Sequence, residues 1–579
     1  MKKVNVCILA SCALALTACG GMSKMAKMAS DVQYDVTPRV LEMHGDSVEV
    51  EIKVAFPPKY FQKQAVLELT PVLKYEGGEK AFASKAIQGE SVQANNEVCN
   101  FTNGGTFSTK SKISFEEAMR SSELVARVKA TMKDKSQDIP EVKIADGVMS
   151  TALLLDKNAM TIAAADKFER ITNDSKGATL FFVINKADIS NKELKKDEIK
   201  ALQQFVKDAA ANERMEVKGI EISAFASPDG EESLNDKLAA NRMKNSDSYF
   251  KKELKKAKVT ADESNYKTTS LAEDWDGFKT LMQESDIQDK ELILRVLSMY
   301  SDPVVREKEI KNISAAYEEI ADKILPQLRR STLSVNVAVI GYSDEEIKEL
   351  VASNPDTLSV EEMLYAATLT QDNAEKLSIY QKAAAKYPED WRTNNNVGHI
   401  SYLMGNFAEA KAAFEKAKEA DASNTVVLNN LGACAYAEGD VAAAKEFYNA
   451  AAGAGDEVSY NQAVIATKAG DYEVALNLFQ SSKFESFNWA LCKLLNYSNT
   501  KNSDVFDASL GILNKIEDQD NAKISYLKAV IAARKQDKDL LINSLRVAVE
   551  KDASWGAYAA KDIEFAQYAN DEEFKNIAK

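Results

Sequence analysis

Asn235, Leu238 and Arg242 stand at i, i+3 and i+7, one face of a helix. The helix would begin just after the apolar run 215–227 and the turn Ser227-Pro228-Asp229-Gly230. One strand-to-helix loop therefore carries a hydroxyl, a carboxylate, a carboxamide and a guanidinium. A guanidinium can hold a carboxylate through two parallel N–H donors. Two other uses of the same groups remain open. Asp229 in a Pro-Asp-Gly turn can hold its own backbone, and Arg242 can pair with Asp229 or Glu232 to pin the loop to the helix.

Elsewhere the chain offers little reactive chemistry. Its only histidines, His44 and His399, lie far apart in sequence, so neither a His-rich metal site nor a His-based general base is expected. There is no G-x-S-x-G, H-E-x-x-H, P-loop or CxxC pattern. Paired acids such as "NDEEF" and "YSDEE" are what a solvated acidic surface contains, and an envelope enzyme acting through a carboxylate pair is the weakest alternative. No catalytic residue, cofactor or metal is expected. The net charge of −15 opposes binding to nucleic acid. Hydrophobic residues at 45% and charged residues at 28% fit a folded chain, and 579 residues call for several domains.

The N-terminus has a basic start, Lys2-Lys3, and then the apolar run 4–18, short for a bilayer span. It ends in Leu16-Thr17-Ala18-Cys19, which resembles the bacterial lipobox. The resemblance implies a signal peptide over 1–19 and membrane lipid carried on Cys19. Gly20 follows where an aspartate would retain a lipoprotein at the inner membrane. Together with the absence of an acidic run in "GGMSKMAKMAS", this implies an outer-membrane anchor facing the periplasm. Residues 20–31 read as a flexible tether.

A three-part organisation follows. Residues 32–155 hold alternating runs such as "DSVEVEIKVAF", with Val48, Val50, Ile52, Val54 and Phe56 on one face, and turn-rich loops between them. They are expected to form an antiparallel β-sandwich. Residues 156–342 interleave strands and helices and are expected to form an α+β layer. Residues 343–579 are helical and periodic. Gly405, Gly439 and Gly470 are spaced by 34 and 31 residues, as are Ala410, Ala444 and Ala475, and Phe414, Tyr448 and Phe479 follow suit. Cys434 and Cys492 fall in apolar helical patterns as buried small hydrophobes.

That repeat resembles the tetratricopeptide (TPR) family, implying an all-α solenoid with a polar C-terminal cap and a concave groove for protein partners. The groove candidates are Asn395, Asn396, His399, Tyr402, Asn429, Asn430, Tyr436 and Asn461, whose carboxamides and hydroxyls can hydrogen-bond a partner's backbone. The family often clamps its ligand with asparagine at the positions of Asn396, Asn430 and Asn461.

The spacing N-x-x-L-x-x-x-R after a strand resembles the OmpA-like peptidoglycan-binding domain. In that family an aspartate eight residues before the asparagine takes the amine of the stem-peptide diamino acid, and the arginine takes its carboxylate. Here Ser227 holds the aspartate position, Asp229 lies two residues on, and Asn235 and Arg242 are kept. The long insert at about 272–330 departs from the minimal domain and is similar to Bacteroidetes variants. Together these resemblances imply an outer-membrane lipoprotein acting as cell-wall tether and interaction scaffold. The alternative is an adaptor of a secretion or surface-fibre machine that has lost wall binding.

Overall fold

The structure, a computed structural model, describes residues 20–228, 230–259, 263–288, 290–300, 302–312 and 314–579. Cys19 and Asp229 lie outside the described residues. The chain divides into two compact units. One joins residues up to Ala165 with Tyr380–Lys579, and the other is Asp166–Ile379. These limits differ from those expected. Residues 156–165 leave the central domain for the first unit, and 343–379 leave the solenoid for the second.

In the first unit, β1 (Gln33–Thr37), β2 (Val40–His44), β3 (Ser47–Phe56) and β8 (Gly105–Ser114) form one antiparallel ladder. A second is built from β4 (Val66–Tyr75), β5 (Gly78–Ala81), β6 (Lys85–Gly89), β7 (Glu97–Cys99), β9 (Ser122–Met132) and β10 (Lys135–Met149). β2 joins the two, antiparallel to β3 and parallel to β10; β6 and β7 are also parallel. Every second residue of β3 is buried, Val48 to Phe56, which is what a strand with one wet face requires. Val48, Val50 and Ile52 share a core with Leu73, Leu124 and Val148 of the second ladder, so the β-region is two-layered.

Residues 20–31 are not a flexible tether. Gly20–Lys27 is a helix, α1, followed by a 3-10 turn over Ala29–Asp31. Met22 and Met25 are wholly buried and share a core with Tyr60, Phe61 and Leu67. Two methionines at i and i+3 make a short apolar stripe, which the surrounding Gly, Ser and Lys disguise. Burying each is worth about 2 kcal/mol, enough to hold eight residues that would not form a helix alone.

The solenoid stacks helical hairpins: Trp391–Leu403 with Phe407–Ala420, Thr425–Ala437 with Val441–Ala450, and Asp456–Ala469 with Tyr472–Ser482. Phe487–Leu495 with Asp504–Lys515 and Ala522–Lys535 with Lys538–Lys551 continue it. Asn424 caps its helix by accepting from the Val426 and Val427 N–H groups, and Asp440 does so from Ala443. Hairpin contact is close at Gly398 and Gly432, where an added Cβ would stand 2.6 Å from the Phe414 and Tyr448 rings.

The β-region and the solenoid share several contacts. The His44 Nδ1 lies 3.0 Å from the Tyr472 hydroxyl, and the Arg120 guanidinium sits 3.8 Å from the centre of the Tyr558 ring. Thr151, just beyond β10, donates to Glu564, which also takes the buried Arg534. Two carboxylates near this junction respond oppositely to pH. Burial raises Glu42, but hydrogen bonding to His44 and the Arg534 charge outweigh it, and its pKa lies below the ordinary value. Burial, then the Glu564 charge, pushes Asp562 above its own, although Tyr526 donates to it at 2.6 Å. A lowered carboxylate stabilises the fold at neutral pH and loses that contribution as pH falls through its folded pKa. A raised one begins to cost stability as pH climbs past the ordinary carboxylate value, and the cost is complete above its folded pKa. Asp562→Asn keeps an acceptor for Tyr526 and is expected to raise the unfolding midpoint by about 2 °C at pH 8. Calorimetry should show this gain shrinking as pH falls into the range where Asp562 is protonated in the folded protein.

The second unit holds a four-stranded sheet in the order β11 (Ile171–Phe181), β14 (Arg330–Ile340), β12 (Met215–Phe225), β13 (Tyr266–Leu271). Only β12 and β13 run parallel. The helices α2 (Asp197–Ala211) and α3 (Glu232–Lys256) lay Leu202, Val206, Phe250 and Leu254 on Ile220, Ile222, Leu333 and Val335. The insert between β13 and β14 has its own core around Phe278, Met282, Ile320 and Leu325. Helices Asp344–Ser353 and Val360–Ala366 belong here because Arg170 pairs with Asp344 and Phe168 stacks on Tyr365 at 4.5 Å. Among the described residues no helix is long and apolar enough to cross a membrane.

Candidate functional site

Between Leu155 and Asp166 the chain is extended and free of regular structure. It lies against the first helices of the solenoid hairpins, where one asparagine after another grips it by the main chain. The Ala164 N–H donates to Asn396 Oδ1 at 2.7 Å and its carbonyl accepts from Asn396 Nδ2 at 2.9 Å. Asn430 does the same for Ile162, at 2.7 and 2.8 Å. Asn461 does so for Met160, also at 2.7 and 2.8 Å, and Asn488 for Asp156, with both bonds 2.8 Å. A carboxamide carries a donor and an acceptor side by side, so each matches both polar groups of one residue in an extended chain. Successive rungs fall two residues apart in the strap, as the two-residue period of an extended backbone demands. The exception is the step from 160 to 156, where Asp156 Oδ1 turns back to accept from the Asn158 N–H.

A second row steadies the first. Asn395 Nδ2 reaches the Ile162 carbonyl and Asn429 Nδ2 the Met160 carbonyl, both at 3.1 Å. The amides also bond one another: Asn430 donates to Asn395 at 2.9 Å and Asn461 to Asn429 at 3.0 Å. His399 Nδ1 lies 2.8 Å from the Thr161 hydroxyl, and the Ala159 backbone hydrogen-bonds the Tyr402 phenol. Tyr402 and Tyr436 are buried, and burial pushes both phenols up to about 12. Desolvation likewise raises the Cys434 and Cys492 thiols to about 12, leaving them un-ionised at neutral pH.

The groove candidates thus come together, but on a different occupant. They are expected to meet a partner protein; Asn395, Asn396, His399, Tyr402, Asn429, Asn430 and Asn461 instead hold the chain's own residues 159–164. Asn488 is the rung that sequence reasoning missed. The spacing from Asn396 runs 34, 31 and then 27 residues, and the last interval falls outside the repeat length.

In the second unit, Ser227, Asn235 and Arg242 also converge. The β12 strand ends at Phe225, and α3 begins at Glu232. Asn235 donates to the carbonyls of Ser227 at 3.0 Å and Gly230 at 3.1 Å, closing the turn. Arg242 Nη1 donates to the Phe225 carbonyl at 2.9 Å and Nε to the Lys186 carbonyl at 3.1 Å, with the guanidinium 5.2 Å from the centre of the Phe182 ring. Only 1% of Arg242 is exposed, against 4% of Asn235 and 5% of Ser227. Arg329, from the segment before β14, donates to the Ser227 hydroxyl at 3.2 Å. It was not among the sequence candidates. In this arrangement Asn235 and Arg242 tie the loop to the strand end and to the chain after β11.

Among the described residues no cluster of His, Cys, Asp or Glu could hold a metal ion. A tetratricopeptide repeat model matches residues 392–424. No curated protein matches the chain. Solved structures similar to it include the APC/C hetero-tetramer Cut9-Hcn1, at 15% identity and TM-score 0.32 over 40% of this chain and 44% of that one. A tetratricopeptide repeat protein from Parabacteroides merdae is 12% identical, TM-score 0.29, over 41% and 89%. Pseudomonas aeruginosa pilF is 16% identical, TM-score 0.28, over 40% and 97%. With its matched repeat, its stacked hairpins and its small-residue contacts against aromatic rings, the helical C-terminal part of this chain is a tetratricopeptide repeat array.

Proposed function

We propose that this protein is a non-enzymatic interaction scaffold of the bacterial outer membrane. It is held by lipid on Cys19, faces the periplasm and serves as an adaptor in a larger envelope assembly. The observation that carries the scaffold reading is the asparagine ladder, which binds polypeptide by its main chain and offers no group to chemistry. The lipid anchor rests on the apolar run and Leu16-Thr17-Ala18-Cys19. Co-purification from detergent-solubilised outer membrane tests it: a stoichiometric protein partner is expected, and recovery of the chain alone would overturn the adaptor.

The central unit, which resembles the OmpA-like domain in its loop and helix, acts on this reading as a spacer rather than a wall-binding module. What favours the spacer is the burial of Arg242, which is 1% exposed and gives Nη1 and Nε to the Phe225 and Lys186 carbonyls. A peptidoglycan stem peptide would have to reach a guanidinium closed off from solvent. Purified protein is therefore expected to stay in the supernatant when sacculi are sedimented. If it pellets, and Arg242→Ala abolishes the pelleting, the wall-tether reading replaces this one.

A further inference from the structure

The ladder is arranged before any ligand arrives. Its amides are oriented by bonds to one another, Asn430 to Asn395 and Asn461 to Asn429, and they are fully buried or nearly so. Such a row is preorganised for any extended backbone. Left empty, it would hold carboxamides without partners. The strap gives little in return that is particular to its own sequence. Its buried side chains in the ladder are small, Ala159, Thr161 and Ala164, and Thr161 alone makes a side-chain hydrogen bond there. Lys157, Asn158, Ala163 and Ala165 are exposed. The larger apolar hold comes earlier, where Leu154 and Leu155 enter the solenoid core; in the ladder itself only Ala159 and the half-buried Met160 join that core. The stretch beyond them is tied to the groove as an intramolecular ligand, at an effective concentration of about a millimolar or more.

We propose that residues 156–164 are a resident competitor for a peptide site. The groove takes, from a partner, an extended segment with small side chains in the places of Ala159, Thr161 and Ala164, and admits it only when the strap leaves. The proposal rests on the scaffold reading and adds to it the partner's chemistry and the gate. It explains why recognition falls on the main chain: a site that must exchange one occupant for another reads what the two have in common.

A fluorescent peptide copying residues 156–165 is the probe, titrated against the full chain. The parent is expected to bind it weakly, with Kd above about 1 mM. Met160→Pro/Ile162→Pro removes two strap N–H donors and is expected to bind at least about tenfold more tightly. Adding Asn430→Ala/Asn461→Ala should abolish that gain. A proline variant that folds yet binds no better than the parent overturns the competitor. Hydrogen exchange on the unmodified protein covers the case of a variant that does not fold. The Met160 and Ile162 amides should exchange at least about tenfold faster than those in the middle of Thr425–Ala437, through local opening. Exchange at the same rate as the helix would make the strap a permanent part of the core and end the proposal. Peptide uptake by the opened groove together with a failed co-purification would sink the scaffold reading and leave the competitor standing.

Discussion

Asn430→Ala is expected to destabilise the first unit by about 3 kcal/mol or more. The side chain is fully buried and takes part in four hydrogen bonds. It accepts from the Ile162 N–H and from Asn429, and it donates to the Ile162 carbonyl and to Asn395. Alanine leaves the Ile162 N–H and Asn395 Oδ1 without their partner, while the Ile162 carbonyl keeps Asn395 and the Asn429 amide keeps the Met160 carbonyl. A buried polar group left unsatisfied costs about 1–3 kcal/mol, and neighbouring rungs can recover only part of the sum. Urea unfolding followed by far-UV circular dichroism measures the loss. The matched control is Asn406→Ala, at an exposed asparagine between two helices, where a change within about 0.5 kcal/mol is expected. A similar small value for Asn430 would mean that the ladder contributes nothing to holding the strap.

The second large effect is expected at Glu564. Its side chain is 1% exposed and that of its partner Arg534 only 10%. It accepts from Arg534 Nε at 2.9 Å and from the Thr151 hydroxyl, so it holds a helix of the solenoid and the chain just past β10 together. Glu564→Ala leaves a buried guanidinium without its counter-charge, at about 3–5 kcal/mol. Arg534→Met/Glu564→Leu removes both charges and is expected to recover most of that loss, because desolvating an ion pair costs nearly what the pair returns. Thermal unfolding of the two variants beside the parent decides it. If the double replacement were as damaging as Glu564→Ala alone, shape at this junction would matter more than charge.

The parts of the fold that were legible are those whose side-chain pattern repeats locally. The alternation of Val48 to Phe56 marks β3, and the glycine and aromatic spacing marks the hairpins. The asparagine pairs at 395–396 and 429–430 could be placed on groove-facing helices for the same reason. Their occupant could not. "DKNAMTIAAADK" has neither a two-residue nor a helical period, and its bonds to the asparagine ladder reach across 232 to 332 residues of sequence. Main-chain recognition leaves almost no trace in the composition of the segment recognised. Arg242 shows the complementary limit. Its spacing from Asn235 put it on the right face of α3, but whether a guanidinium looks out at a ligand or in at two carbonyls depends on where the ends of β11 and β12 fall. The helix at 20–27 was hidden for a third reason, since two methionines among Gly, Ser and Lys are too few to make a periodic signal.

That short helix bears on how the molecule would stand on a membrane. On the lipid-anchored reading, only Gly20 and Gly21 separate the acylated Cys19 from Met22, a reach of at most about 10 Å. Met22 is already locked into the β-region. Many anchored proteins ride on a long leash that lets them search a volume. This one would sit like a post set directly in its footing, with little freedom to tilt or drift from the lipid headgroups. Any partner would then have to come to a surface at fixed height, and lengthening the leash with a Gly-Ser insert between Cys19 and Gly20 would change where the molecule reaches while leaving the helix Gly20–Lys27 whole.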